Sequence, residues 1–223
     1  MNTKSTIGIC ALFLVASLIM ITGSCGGDDK NDKTVVVDID GNVYGTLKIG
    51  TQTWMAENLK TTKLSDGTDI LCVTDQNRWA GLYIPAYCWY DNDINNKYIY
   101  GAIYNWYTAN RYGLCPSGWH VPSSYEWRIL INNLGGVYVA SGKLKEEGTT
   151  HWLSPNKYAT DMIGFTALPG GGRGLESFFG IGEKGCWWTF TQYSSLRLTF
   201  DEDYVFFDES EPEIGYCIRC IKD

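Results

Sequence analysis

The side chains able to do chemistry are few and badly spaced for it. His120 and His151 are the two histidines. They lie far outside the His-Glu-x-x-His spacing that sets two imidazoles around zinc on one helix face. His120 sits between Trp119 and Val121, a setting in which imidazole is more often packed and hydrogen-bonded than used as a base. Glu146-Glu147 offers adjacent carboxylates, and a pair of acids is what glycoside hydrolysis needs. Acids are numerous in this chain, 25 in all, so no single pair stands out. No Gly-x-Ser-x-Gly elbow is present. Asp91, Asp93 and Asn95 fall at positions 1, 3 and 5 of a calcium loop. The pattern then fails, with Asn96 in place of the turn glycine and Ala102 in place of the final glutamate. The run from Pro169 through Gly170-Gly171-Gly172-Arg173-Gly174 lacks the Gly-Lys-Ser/Thr ending of a phosphate loop. It reads as tight turns or close backbone packing. The sequence thus offers no catalytic residue, no metal site and no cofactor motif.

Cysteine usage and the first residues speak to location. Lys4 precedes an apolar stretch over residues 7–21, followed by Thr22-Gly23-Ser24-Cys25. This resembles a bacterial lipoprotein signal over residues 1–24, with Cys25 as the acylated first residue of the exported protein. Residues 25–33 read as an acidic flexible tether. Residues 34–223 read as one domain, long enough for a sizeable core. The expected location is outside the cell, lipid-anchored to the outer membrane, with the domain at the cell surface. Eight cysteines fit that location. Beyond Cys10 and Cys25, six remain: Cys72, Cys88, Cys115, Cys186, Cys217 and Cys220. An even number in an exported protein points to disulfides, with the pairing open. The net charge of −7 excludes nucleic acid as a natural partner, because phosphate neutralisation needs a basic face. The expected partners are the membrane, through the N-terminal lipid, and a glycan or another surface protein.

The elements that must carry these residues are partly readable. Ser123 and Glu126 form a capping box, with Pro122 keeping the approaching chain extended. Trp127, Leu130, Ile131 and Leu134 then fall on one helical face, and Gly135-Gly136 stops the helix. Ile103, Trp106 and Tyr107 have helical spacing, which predicts another helix over residues 100–110. Strands are predicted over residues 34–38, 43–49, 52–59, 86–90, 164–168, 186–191, 195–200, 204–208 and 215–221. In the last of these Cys217, Arg219 and Ile221 share one face and Tyr216, Ile218 and Cys220 the other. Cys217 and Cys220 therefore point apart and should take separate partners.

Several blocks carry a family resemblance. They are Val37-Asp-Ile-Asp-Gly-Asn-Val-Tyr44, Ile49-Gly-Thr-Gln-Thr-Trp-Met-Ala-Glu-Asn-Leu59, Pro85-Ala-Tyr-Cys-Trp-Tyr90, Tyr100-Gly-Ala-Ile-Tyr-Asn-Trp-Tyr107, Leu114-Cys-Pro-Ser-Gly-Trp-His-Val-Pro122, Gly164-Phe-Thr-Ala-Leu-Pro-Gly-Gly171 and Arg219-Cys-Ile-Lys-Asp223. In this order they resemble the Fibrobacter succinogenes major paralogous domain family, abundant among exported bacterial proteins. That family in turn resembles the C-type-lectin-like fold, in the branch of the formylglycine-generating enzyme. The shared places are His120-Val-Pro-Ser-Ser-Tyr-Glu-Trp127 and Gly215-Tyr-Cys-Ile-Arg-Cys220. The resemblance implies an α+β fold, with two helices packed on a twisted antiparallel sheet and a long irregular loop region. It implies a Cys115–Cys220 disulfide. Cys186 and Cys217 stand where the family pattern more often has Tyr and Ser, which implies a second bridge and leaves Cys72 with Cys88. The enzyme's copper-binding Cys-x4-Cys is missing, so its oxidase chemistry does not carry over.

In lectin-like folds the long loops do the binding. Here they should span residues 145–183, with His151, Trp152, Asn156, Asp161, Arg173 and Glu176 as the candidate ligand-binding residues beside Phe178 and Phe179. The calcium-lectin motifs Glu-Pro-Asn and Trp-Asn-Asp are absent. The expected function is a binding or adhesion module with glycans as the ligand class. The alternatives are an enzyme of an exported polysaccharide-degrading set and an envelope protein that binds another protein. A binding Trp152 has to be exposed, which makes its burial a direct check.

Overall fold

The strand Val43–Ile49 turns through Gly50-Thr51 and runs back as Gln52–Met55, with Ile49 opposite Gln52 and Thr46 opposite Met55. Gly50 has φ of +59°, the left-handed backbone that a two-residue hairpin turn needs. This hairpin is the seed of the smaller sheet in the computed structural model, which describes residues 34–223. The expected signal over residues 1–24, the acylated Cys25 and the tether over residues 25–33 lie outside the described residues. Val35–Val37 pairs on one side of the hairpin, while Ile221–Lys222 and then Trp119–His120 pair on the other. The first strands of the domain and its last strand thus share one sheet, with Ile221 opposite Trp54.

Among the described residues the larger sheet has nine strands. From one edge it runs Phe206–Glu209, Ser194–Thr199, Lys184–Trp188, Gly170–Arg173, Gly215–Tyr216, Ile103–Asn105, Ala86–Cys88 and Leu71–Cys72, with Phe178–Ile181 paired separately to Gly170–Arg173. Most pairs are antiparallel, but Lys184–Trp188 with Gly170–Arg173 and Leu71–Cys72 with Ala86–Cys88 are parallel. The fold therefore mixes helices and strands as expected, although the sheet is not purely antiparallel.

The capped helix forms over Ser124–Asn133. Ser123 Oγ accepts from Glu126 N at 3.3 Å, and Glu126 Oε2 accepts from Ser123 N at 2.7 Å. Trp127, Leu130 and Ile131 on its inner face are buried. Gly135 and Gly136 follow with φ of +105° and +90°. Gly136 N–H bonds back to the Ile131 carbonyl, which closes the helix end. A second long helix, Val137–Leu144, restarts at once. The helix expected over residues 100–110 is instead the strand Ile103–Asn105 and a single turn, Trp106–Ala109. Asn105 Oδ1 accepts from Thr108 N at 3.1 Å and starts that turn. The helical spacing arose because an inward-facing strand residue, Ile103, precedes a turn. The strand expected over residues 164–168 reduces to one bridge, Lys145 with Ala167. The glycines just after it form the real strand. A Cβ at Gly171 would meet the Phe179 carbonyl oxygen at 2.2 Å, so the run serves close backbone packing.

The core is aromatic. Trp54, Trp127, Trp152, Phe165 and Trp187 pack with Leu196 and Leu198, and the rings of Trp54 and Trp127 lie 4.6 Å apart. A second cluster gathers Tyr44, Tyr104, Trp188, Cys115 and Cys220. The terminal segment alternates between them: Cys217 and Ile221 enter the first cluster, Ile218 and Cys220 the second. Three cations are buried among the described residues, Lys145, Arg173 and Arg219, and two of them brace this core. Arg219 donates to Asn58 Oδ1 at 3.1 and 2.9 Å and to the Phe165 carbonyl. Lys145 Nζ donates to the carbonyls of Lys157, Thr199 and Glu202 at 2.8, 3.0 and 3.2 Å. Burial depresses the Lys145 pKa to about 8 and that of Arg219 to about 10.

Cys115 and Cys220 are joined by a disulfide. Cys72, Cys88, Cys186 and Cys217 remain thiols, which corrects the two other expected bridges. The reason is the same at both sites. Trp187 is the partner of Cys217, and Tyr87 is the partner of Cys72. Each cysteine pair is thus offset by one residue, and a one-residue offset puts the two side chains on opposite faces of the sheet. Among the described residues no helix is long and apolar enough to cross a membrane.

Candidate functional site

The expected binding residues hold the loops together rather than facing solvent. Trp152 is 1% exposed, and its indole N–H donates to the Ala167 carbonyl at 2.9 Å. It cannot serve as a stacking platform, and that assignment is corrected here. Arg173 is fully buried between the Trp79 and Phe178 rings, and it donates to the Thr74 carbonyl at 3.0 Å and Gln76 Oε1 at 3.2 Å. Asn156 Nδ2 ties the Glu146 and Gly148 carbonyls at 2.8 and 2.6 Å. Asp161 accepts from Thr166 N and Oγ1, both at 2.7 Å. His151 Nδ1 meets Glu146 Oε1 at 2.8 Å in a half-buried pair. Glu176 alone of the six is exposed, on the turn before Phe178–Ile181. None of these six residues lines the groove or the pocket described below.

A groove does open beside the same loops. It has a volume of about 310 Å³ and runs between the helix Val137–Leu144 and the segment 158–162. Its walls are Tyr138, Val139, Gly142, Lys143, Tyr158, Thr160, Met162 and Asp203. Gly142 decides its shape. A Cβ there would meet the Tyr158 carbonyl oxygen at 2.2 Å, so glycine alone lets the segment close on the helix. Thr160 N–H then donates to the Gly142 carbonyl at 2.8 Å. Tyr158 has φ of +59°, a left-handed conformation that a bulky residue adopts only where its surroundings impose it. The result is a ring held outward, 70% exposed, opposite Tyr138 at 68%.

Tyr138 is fixed from behind. Its ring stands edge-on to Tyr204 at 5.0 Å, Tyr204 stands edge-on to Phe206 at 4.9 Å, and the Arg197 guanidinium covers Phe206 at 4.1 Å. Arg197 is in turn held by Asp208 at 2.6 Å. Lys143 Nζ donates to the Leu134 carbonyl at 3.0 Å, so its stem is fixed along the groove. Exposed tyrosines on a rigid base, beside Thr160 and Asp203, give flat apolar faces with hydrogen-bonding edges. That is the chemistry a sugar ring needs. Sequence reading missed this groove because it read no helix over residues 137–144, and Gly142 marks a close approach only once that helix is seen.

A second polar cluster lies at the other sheet. His120 Nδ1 meets Asp223 Oδ1 at 2.6 Å, and its Nε2 meets Glu126 Oε1 at 2.8 Å. Burial works against the charged ring, but the hydrogen bonds to Asp223 and Glu126 outweigh it and raise the His120 pKa above its ordinary 6.5. Because the folded value is the higher one, the native state binds the extra proton. The stabilisation is complete below about pH 6.5 and is lost as pH rises through the folded value. Urea unfolding between pH 6 and pH 8 should therefore show stability falling with pH, and the His120→Asn protein should show a flatter profile. Equal slopes in the two proteins would refute this role for the imidazole.

The stretch from residue 47 to residue 222 matches the Fibrobacter succinogenes major domain. The chain belongs to that family. The match starts inside the strand Val43–Ile49 and ends at Lys222, so it takes in the larger sheet, both long helices, the Cys115–Cys220 disulfide and the smaller sheet except for Val35–Val37 and the start of Val43–Ile49. No curated protein and no solved structure matches the chain. The name of the Fibrobacter succinogenes major domain family states no activity, so a functional reading has to rest on the groove's geometry.

Proposed function

We propose that the protein is a lipid-anchored, cell-surface binding module that holds a glycan in the Tyr138–Tyr158 groove. One observation carries the reading: two exposed tyrosines line a single groove, Tyr158 set by a left-handed backbone and Tyr138 braced edge-on against Tyr204. Surface rings left mobile would lose ordering entropy on binding; fixed ones have little left to lose. The anchor rests on the sequence pattern ending at Cys25. The reading takes the fold as C-type-lectin-like. Its support is that the first hairpin and the last strand pair in one sheet, and that a disulfide ties the segment before the capped helix to that last strand.

A glycan array on the purified protein tests this. Each stacking ring contributes about 1 kcal/mol, so Tyr138→Ala and Tyr158→Ala should each weaken retention about fivefold, and together by well over tenfold. Both rings are exposed, so the melting temperature should stay within about 2 °C of the parent, as expected for surface changes. Unchanged retention by the double variant would remove the groove from consideration.

A further inference from the structure

A separate pocket of about 360 Å³ lies beside the disulfide and shares no lining residue with the tyrosine groove. Its apolar walls are Tyr112, Trp119 and Phe190, over a floor of Leu114, Cys115 and Val121. Tyr112 is 88% exposed, yet its ring is tilted onto Phe190 at 5.5 Å. The polar edge consists of Arg111, His120 and Asp223.

Two groups on that edge have unused capacity. The Arg111 guanidinium makes no ion pair or hydrogen bond with any side chain or carbonyl among the described residues. Asp223 spends Oδ1 on His120 at 2.6 Å, and its Oδ2 accepts nothing from the described residues. Arg111 is thus the cation on that edge left without a side-chain partner among the described residues, whereas His120 is shared between Asp223 and Glu126. Guanidinium is the natural partner of a carboxylate, which it can bind with two parallel N–H···O bonds. A free carboxylate oxygen accepts from a hydroxyl. Aromatic walls take the apolar face of a ring.

We propose that this pocket binds a hexuronic acid residue of a polysaccharide. Arg111 takes the sugar carboxylate, Asp223 Oδ2 accepts from a ring hydroxyl, and Tyr112, Trp119 and Phe190 cover the ring. A neutral hexose leaves Arg111 unmatched. A plain aromatic acid leaves Asp223 unmatched. The chain's net charge of −7 opposes the approach of a polyanion, so both affinity and selectivity have to come from the pocket itself.

Calorimetry on the full chain tests this with trigalacturonate, maltotriose and benzoate at about 0.15 M salt, where surface charge is screened beyond roughly 8 Å. Trigalacturonate should bind, with maltotriose and benzoate each at least about tenfold weaker. Arg111→Ala should weaken trigalacturonate by about tenfold or more, the usual effect of removing a charged hydrogen-bond partner, and Tyr112→Ala by several-fold. Both side chains are exposed, so thermal melts should match the parent. Tyr158→Ala, in the other groove, should leave trigalacturonate binding unchanged. The proposal falls if trigalacturonate gives no heat, or if either comparison ligand binds equally well. It falls also if Arg111→Ala and Tyr112→Ala are both without effect, or if Tyr158→Ala abolishes the binding.

Discussion

Replacing Cys115 and Cys220 together by alanine is expected to lower the unfolding free energy by about 4–5 kcal/mol. The two residues are 105 positions apart, and the chain-entropy cost of leaving so long a loop open in the unfolded state is of that size. Both cysteines are buried. Their bond joins the segment that leads into the capped helix to the last strand, which lies between Gln52–Met55 and Trp119–His120. A domain of ordinary stability has about 5–15 kcal/mol in total, so the variant should lie close to the edge of folding. Urea unfolding of the parent and the double variant at one temperature measures the difference. The slope against urea should rise in the variant, because its unfolded chain exposes more surface. A loss below about 1 kcal/mol would show that the bridge closes a loop already held by other contacts.

Trp152→Ala is expected to cost about 3–5 kcal/mol, the range for removing a core tryptophan. The indole is buried in the cluster that contains Phe165 and Trp187. Its removal leaves a cavity and strips the Ala167 carbonyl of its donor. It also uncovers the Lys145 ammonium, which lies 5.7 Å from the ring centre. Thermal unfolding reads the stability loss. Glycan retention, measured at a temperature where both proteins are folded, should stay near the parent value, because Trp152 does not line the tyrosine groove. A variant that melts with the parent but fails to hold glycan would reverse the assignment and return Trp152 to the binding surface.

What the sequence disclosed follows the range of the forces involved. Ser123 and Glu126 announced a helix start because a capping box is closed within four residues. Leu196 and Leu198 announced a buried strand face because alternation is a property of the strand alone. Val43–Ile49 was bounded on both sides by turn residues and has the predicted extent. The failures involve partners distant in the chain. Trp152, Arg173 and Asn156 look like ligand-binding residues in a polar loop, and only the folded neighbours reveal that their polar atoms are already spent. Tyr138 and Tyr158 look like any other of the fifteen tyrosines until Gly142 brings their segments together. The cysteine pairings depended on register, which a shift of one residue inverts and which composition does not record. Cys115–Cys220 was reached only through the family resemblance. The Arg111 pocket gave no signal, since its residues come from separate stretches around 111–121, Phe190 and Asp223.

The one-residue offsets that keep four thiols apart give the molecule a built-in clock for its own opening. Cys72 is exposed, whereas burial pushes Cys88, Cys186 and Cys217 up to a pKa of about 12. Thiolate is the form that alkylates, so a reagent in native buffer meets one ready sulfur among the described residues and three that are masked. Cys88 belongs to Ala86–Cys88, Cys186 to Lys184–Trp188, and Cys217 to the segment just beyond Gly215–Tyr216. Each acquires its mass tag only when its own stretch of sheet lets go. The order of the three tags, read by mass spectrometry, gives the sequence in which the larger sheet comes apart, with no mutation introduced.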